Sequence, residues 1–261
     1  MNIVMCPTKY FGVDYEINPW MHLSDQPDLD IAKKQWEDIE SIFEEIGINV
    51  DVINPEKGFP DMVFVANAGL PMKDKFILSN FTHKERQGEV EFFRKYFSKK
   101  FEVIELPEDI KFEGQGDAFF VGKKLFIGNG FRSSEKAGDY IKEYLPDDYK
   151  IIKLNLINQN FYHLDTAIAY IGDDNFLVVK SAFSDDSLEI LKRQGNLIFL
   201  SDEDAKNFAA NNIIYKENII LNDATPELEK KLNDLDLNVI KKNTSEFLKS
   251  GGSVRCLSLV Y

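Results

Sequence analysis

Only two cysteines, Cys6 and Cys256, and three histidines occur in 261 residues. That excludes a disulfide framework and a cysteine-rich zinc site. The histidines, His22, His83 and His163, show no ligand spacing, so no metal and no other cofactor is expected. Apolar runs are short, and none approaches the length of a membrane span. The opening Met1-Asn2-Ile3-Val4-Met5 is too short and uncharged to read as a signal peptide, and Pro7 follows at once. Positive charge is in the minority: 31 Lys and Arg stand against 44 Asp and Glu, a formal net charge of −13. A nucleic-acid or anionic-membrane surface is not expected from that balance. A cationic small molecule would suit an acidic site. Low-complexity linkers and composition breaks are also missing. The expectation is a soluble, cytoplasmic protein with one domain over residues 1–261, with self-association left open.

What is present begins with the setting of Cys256, in Gly251-Gly252-Ser253-Val254-Arg255-Cys256-Leu257-Ser258-Leu259. Two glycines permit a sharp turn or a close approach to a ligand. The residues after the cysteine alternate towards a short strand over 255–261. A thiol held between a turn and a strand is placed as a nucleophile needs to be. Partners for it are available in His163, within Phe161-Tyr162-His163-Leu164-Asp165, and in Glu113 and Asp117, within Phe112-Glu113-Gly114-Gln115-Gly116-Asp117. Each residue alone has a plainer reading: a small core cysteine, a satisfied core histidine, a turn-capping acid.

Similar units recur along the chain. Hairpins are expected where Asp61–Gly69 leads into Lys75–Leu78, Asp117–Gly122 into Lys124–Gly128, Asp165–Gly172 into Asn175–Val179, and Asn212–Tyr215 into Ile219–Leu221. Three of them open on an acid, Asp61, Asp117 and Asp165, about fifty residues apart, a spacing typical of propellers and arrays. Helical periodicity fills the intervals at 31–46, 84–97, 134–144, 186–193 and 225–235. In the first, Ile31, Trp36, Ile39, Ile42, Phe43 and Ile46 fall near one face. Ser201-Asp202-Glu203-Asp204 opens a further helix in capping-box style. The pattern is an α/β ring of five ββαβ units, completed by a first strand (2–6) and the last strand. A doubly wound open sheet is the competing architecture, disfavoured because hairpins outnumber single crossover strands. In a ring, the residues that begin the hairpins lie near the axis, so Cys256, His163, Glu113 and Asp61 can converge there.

Phe-Glu-Gly-x-Gly-Asp at 112–117, His-Leu-Asp at 163–165 and Gly-Gly-Ser-x-x-Cys-Leu at 251–257 resemble the guanidino-group modifying enzyme superfamily. Its members include arginine deiminases, dimethylarginine dimethylaminohydrolases, amidinotransferases and arginine dihydrolases. The resemblance covers nearly the whole chain and implies a five-bladed α/β propeller, the pentein fold, around a central active site. It implies that Cys256 attacks the guanidinium carbon and forms a covalent adduct. It also implies that His163 protonates the leaving nitrogen and then activates water. Glu113 would hold the guanidinium and orient His163. Asp165 would bind substrate nitrogens, and Asp117 would support the loop.

The N-terminal half separates the branches. Dimethylarginine hydrolases continue the segment resembling Pro60–Val65 with Glu-Asp, where this chain has Ala66 and Asn67. The run Phe64-Val65-Ala66-Asn67-Ala68-Gly69, with Tyr15–Met21, resembles the arginine dihydrolase branch instead, which converts arginine to ornithine, carbon dioxide and two ammonia. A carboxylate grips a guanidinium but gains little from a neutral ureido group, whereas an amide can hold either. Substrate contacts are accordingly expected from Asn67, Phe64, Asp61 and Asn18, the last with a plain turn before Pro19 as its alternative. Arg86 and Arg132 match family positions for clamping a substrate carboxylate. The segment 10–25, bracketed by Gly12 and Pro19, is expected to be a mobile lid. Dimethylarginine hydrolysis or arginine deimination to citrulline is the alternative activity. A degenerate propeller serving as a binding module is the non-enzymatic one.

Overall fold

The computed structural model describes all 261 residues. Fifteen short strands form five separate three-stranded sheets, each with one antiparallel and one parallel pairing. The first blade contains β1 (Asn2–Met5), β2 (Asn49–Val52) and β15 (Leu259–Val260). The second contains β3 (Gly69–Met72), β4 (Lys75–Leu78) and β5 (Glu102–Ile104). The third contains β6 (Ala118–Val121), β7 (Lys124–Asn129) and β8 (Lys150–Asn155). The fourth contains β9 (Ile168–Gly172), β10 (Asn175–Val178) and β11 (Asn196–Phe199). The fifth contains β12 (Ile213–Tyr215), β13 (Asn218–Leu221) and β14 (Asn238–Lys241). This is the five-bladed α/β propeller expected from the repeat.

Each blade follows one rule. A hairpin supplies two strands, a helix crosses over, and the third strand returns parallel to the middle one, as a crossover connection requires. The first blade is the exception that closes the ring. Its β15 comes from the far end of the chain and pairs antiparallel with β1, Ile3 opposite Val260 and Val4 opposite Leu259. Tyr261 N donates to Asn2 O at 2.9 Å.

Helix α1 (Leu29–Glu45) shows how the crossover helices form. The Asp28 carboxylate accepts from the backbone N–H of Asp30 and Ile31 and so caps two orphan donors. The buried stripe is Ala32, Gln35, Trp36, Ile39, Ile42 and Phe43. Ile31, expected on that stripe, lies instead on the exposed side. The helix expected at 84–97 is two pieces, Lys84–Gln87 and Glu89–Phe97. The later helices are shorter than the periodicity suggested, and Ser184, Ser201 and Thr225 cap three of them through their hydroxyls. Between sheets and helices lie five apolar clusters, the largest around α1 and β1.

Two expectations about strands need correction. Asp61, Asp117 and Asp165 do not begin strands. Asp117 and Asp165 lie in one-turn helices just before an inner strand, Gly114–Asp117 and Leu164–Ala167, and Asp61 lies in Pro60–Val63, which a second turn, Val65–Ala68, separates from β3. The apolar residues of 62–65 mimic a strand pattern because they are buried in short 3-10 turns. The last strand is likewise only Leu259–Val260, and Cys256 lies in the turn before it. A cavity of about 620 Å³ is lined by residues of β3, β6, β9, β12 and β15. One strand from every blade therefore faces the ring axis.

Candidate active site

The loops that lead into the inner strands carry the candidate chemistry. They bring Asp61, Phe64, Asn67, His163 and Cys256, with Tyr162, Ser250 and Gly251, to the wall of one small cavity, which Arg86 after β4, Arg132 after β7, and Ile17 and Asn18 after β1 complete. Glu113 and Asp165 lie directly behind that wall, bonded to His163 and Cys256, and Asp117 bonds to Leu164 and Ser133 beside them. All eleven residues singled out from the sequence are thus within one cluster.

His163 Nε2 and Glu113 Oε2 are 2.7 Å apart, both buried. A carboxylate only accepts, so Nε2 carries the proton and Nδ1 is the nitrogen left for proton transfer. Glu113 also accepts from Arg132 Nη1 at 3.1 Å and, through Oε1, from Thr82 N at 3.2 Å. Burial pushes the Glu113 carboxyl up, but Arg132, His163 and Arg86 outweigh it and hold the group well below the usual carboxylate range. Both of its oxygens are occupied, so its place is behind His163. The guanidinium grip expected of it is not what this geometry offers.

The glycines of 113–117 have a steric reason. Gly114 has φ +58°, and a Cβ there would meet the backbone of Gly69 and Ala66 within 3 Å. A Cβ on Gly116 would lie 2.2 Å from Asn67 Nδ2 and 3.3 Å from the His163 ring. The motif thus lets three site loops approach one another. Asp117 ties them together: Oδ1 accepts from Leu164 N at 3.1 Å, and Oδ2 accepts from Ser133 Oγ. Burial pushes its carboxyl up to about 6. Through Leu164 N it holds the loop that carries His163.

Cys256 is 3% exposed. Its Sγ lies 3.4 Å from Asp165 Oδ2 and 3.2 Å from Asn211 Nδ2. Burial, and then the Asp165 charge, push the thiol well above its usual value, so it rests protonated. Asp165 is itself pushed up to about 7 by burial, with Arg255 opposing.

The two arginines differ. Arg86 is clasped by Glu89 through two bonds (2.9 and 2.8 Å), donates to Asn67 Oδ1 at 2.7 Å and to Asp61 O at 3.0 Å. Arg132 uses only Nη1 to Glu113 and Nη2 to Ile17 O at 2.9 Å, with its guanidinium 4.4 Å from the Tyr162 ring centre. With five N–H donors per guanidinium, Arg132 keeps more of them for a ligand.

Several buried polar atoms have no partner, among them Asp61 Oδ1, Asn67 Nδ2, Asp165 Oδ1 and Ser250 Oγ. Buried polar atoms are nearly always paired, so such a cluster marks where ligand atoms fit. Asn18 is different. Its Nδ2 donates to Tyr162 Oη and Ser250 O, while Oδ1 accepts from Trp20 N and Met21 N. Its amide is used up in shaping the turn, which favours the alternative reading. Tyr162 and Asn211 were not singled out from the sequence. Tyr162 stands beside His163, and Asn211 sits just before the fourth hairpin; those positions were the only signals.

Penteins, the guanidino-group modifying superfamily to which the sequence motifs pointed, are built in this way, and the fold and the site place the chain among them. Within that superfamily the chain belongs to the dimethylarginine dimethylaminohydrolase family: the sequence model described as "N,N dimethylarginine dimethylhydrolase, eukaryotic" matches residues 13–259. A Mycobacterium tuberculosis N(G),N(G)-dimethylarginine dimethylaminohydrolase is 34% identical over 98% of this chain and 84% of its own length. The bifunctional arginine dihydrolase/ornithine cyclodeaminases ArgZ of Synechocystis sp. and AgrE of Nostoc sp. are 40% and 38% identical over 99% of this chain. The chain spans about 37% of the length of those two relatives. The crystal structure of the N-terminal domain of ArgZ bound to substrate superposes with a TM-score of 0.95 at 38% identity, covering 99% of this chain and 97% of that one.

Proposed function

We propose that residues 1–261 act as one catalytic domain that hydrolyses free arginine to ornithine, carbon dioxide and two ammonia. The observation that carries this reading is Asn67. Its Oδ1 is taken by Arg86, which leaves Nδ2 as an unpartnered donor at the cavity wall. A free N–H suits the carbonyl oxygen of a ureido group, so citrulline can be held for a second attack. The relatives named as arginine dihydrolases agree with it.

The chemistry then runs twice on one thiol. An entering guanidinium offers its N–H groups to Asp165 Oδ1 and Asp61 Oδ1, and its positive charge favours the Cys256 thiolate. Cys256 gives up its proton to His163, Sγ bonds to the guanidinium carbon, the C–N bond to one terminal nitrogen breaks, and His163 passes that proton to the departing nitrogen so that ammonia leaves. His163 then takes a proton from water, whose oxygen displaces sulfur and leaves citrulline. In the second round Sγ attacks the ureido carbon, and a second ammonia leaves. A second water releases a carbamate, which collapses to ornithine and carbon dioxide. Arg132, with its spare donors, is assigned to the α-carboxylate. Arg86 holds Asn67 in register.

Asn67→Asp tests this reading. The new carboxylate would repel a ureido oxygen, so citrulline should become the main released product. An unchanged ornithine-to-citrulline ratio would sink the role given to Asn67. The family match favours a second reading, dimethylarginine hydrolysis, which methylamine release from methylated arginines would reveal.

A further inference from the structure

Five loops precede five inner strands, and four of them carry groups already placed: Asp61 and Asn67, Glu113, His163 and Asp165, and Cys256. The remaining loop, before β12, carries Asn211. This side chain is fully buried. Its Oδ1 accepts from Arg255 N at 2.9 Å and Cys256 N at 3.2 Å. Its Nδ2 donates to Asp165 O at 3.1 Å and to Cys256 Sγ at 3.2 Å. The amide can stand only one way round, because two backbone N–H groups require the oxygen and a carbonyl requires the nitrogen. The N–H aimed at sulfur is therefore fixed by three other bonds.

We propose that Asn211 is a donor to the reacting sulfur, an amide cradle that holds the Cys256 thiolate while it attacks. This donor favours the charged form over the thiol. It acts against Asp165, whose Oδ2 lies 3.4 Å from the same sulfur. The same amide locks the backbone N–H groups of Arg255 and Cys256, so sulfur position and sulfur charge are set by one side chain. A merely structural Asn211 would hold the loop without changing the ionisation of the thiol.

The inference rests on the reading of Cys256 as nucleophile, and its test separates the two. The rate of Cys256 alkylation by iodoacetamide, an uncharged probe, is followed by intact mass across pH, with Cys256→Ala as the blank for Cys6. Asn211→Ser should move the alkylation midpoint up by about one pH unit, a tenfold loss of thiolate below both midpoints. Its arginine turnover should fall in kcat with KM within about twofold, the pattern of a contact that matters after binding. Asn211→Asp, which keeps an acceptor for both backbone N–H groups, should shift the midpoint further in the same direction. A folded Asn211→Ser protein that retains the wild-type midpoint overturns the proposal. If neither variant folds, the wild-type protein decides: the 15N side-chain amide signal of Asn211 should titrate in step with the thiol, and a flat signal overturns the cradle. Alkylation of Cys256 that leaves turnover intact would instead refute the nucleophile itself.

Discussion

At Asp165 burial raises the carboxyl to about 7 while Oδ2 lies 3.4 Å from the Cys256 sulfur. The folded value lies above the unfolded one, near 3.8. The native state therefore binds the extra proton, and stability from this group falls as pH rises from about 4 to 7. Asp165→Asn removes the buried charge. Its melting temperature should match wild type near pH 4 and exceed it above pH 7, with turnover lost; equal melting temperatures at pH 8 would contradict this. Cys256, His163 and Glu113 were legible in the sequence because each lies in a glycine-marked or paired motif. Asn211 was not, because an asparagine before a hairpin reads as a turn residue. Its bonds to 165, 255 and 256 exist only once the ring has closed. The spare donors of Arg132 and the crowded ones of Arg86 were equally invisible, since they depend on which neighbours fill the fork.

Between the blades, single-turn helices position the site: Val65–Ala68, Gly114–Asp117 and Leu164–Ala167 each end as an inner strand begins, so their side chains stay near the axis. Hairpins and crossover helices were readable from period and caps. The one-turn pieces were misread as strand, because apolar runs of four to eight residues do not distinguish the two. The third strands, at most six residues long, gave too little pattern to be bounded. The segment 10–25 has no helix or strand. It covers the cavity through Tyr15 Oη to Asp61 Oδ2 at 3.0 Å, Asn18 to Tyr162 Oη at 3.2 Å, and Trp20 Nε1 to Asn160 O at 2.8 Å. The closed cavity measures about 10 Å³, the room of a single water. A cavity of that size does not hold arginine, so an opening is required, and this segment, which has no helix or strand, is the one lying over it. Its amides should exchange fast in the free protein and slow down with substrate bound to Cys256→Ala protein. Equal exchange in both states would count against a lid.

Across the whole molecule, ring closure joins the chain's two ends and builds the site in the same step. The pairing of β1 with β15 follows Cys256 by only three residues, and Gln115 from the third blade clasps Val260 through both N–H and C=O. The fivefold repeat and the α/β propeller were legible because about fifty residues separate successive acids, a regularity that survives weak local signals. No helix is long and apolar enough to cross a membrane. The central claim is that one thiol at the axis removes both terminal guanidino nitrogens before the product leaves. The direct test is a time course of purified protein with arginine alone, scoring ornithine, citrulline and ammonia, with Cys256→Ala in parallel. The account predicts ornithine with about two ammonia per arginine consumed, little free citrulline, and no turnover in the variant. Citrulline accumulating with a single ammonia would contradict it.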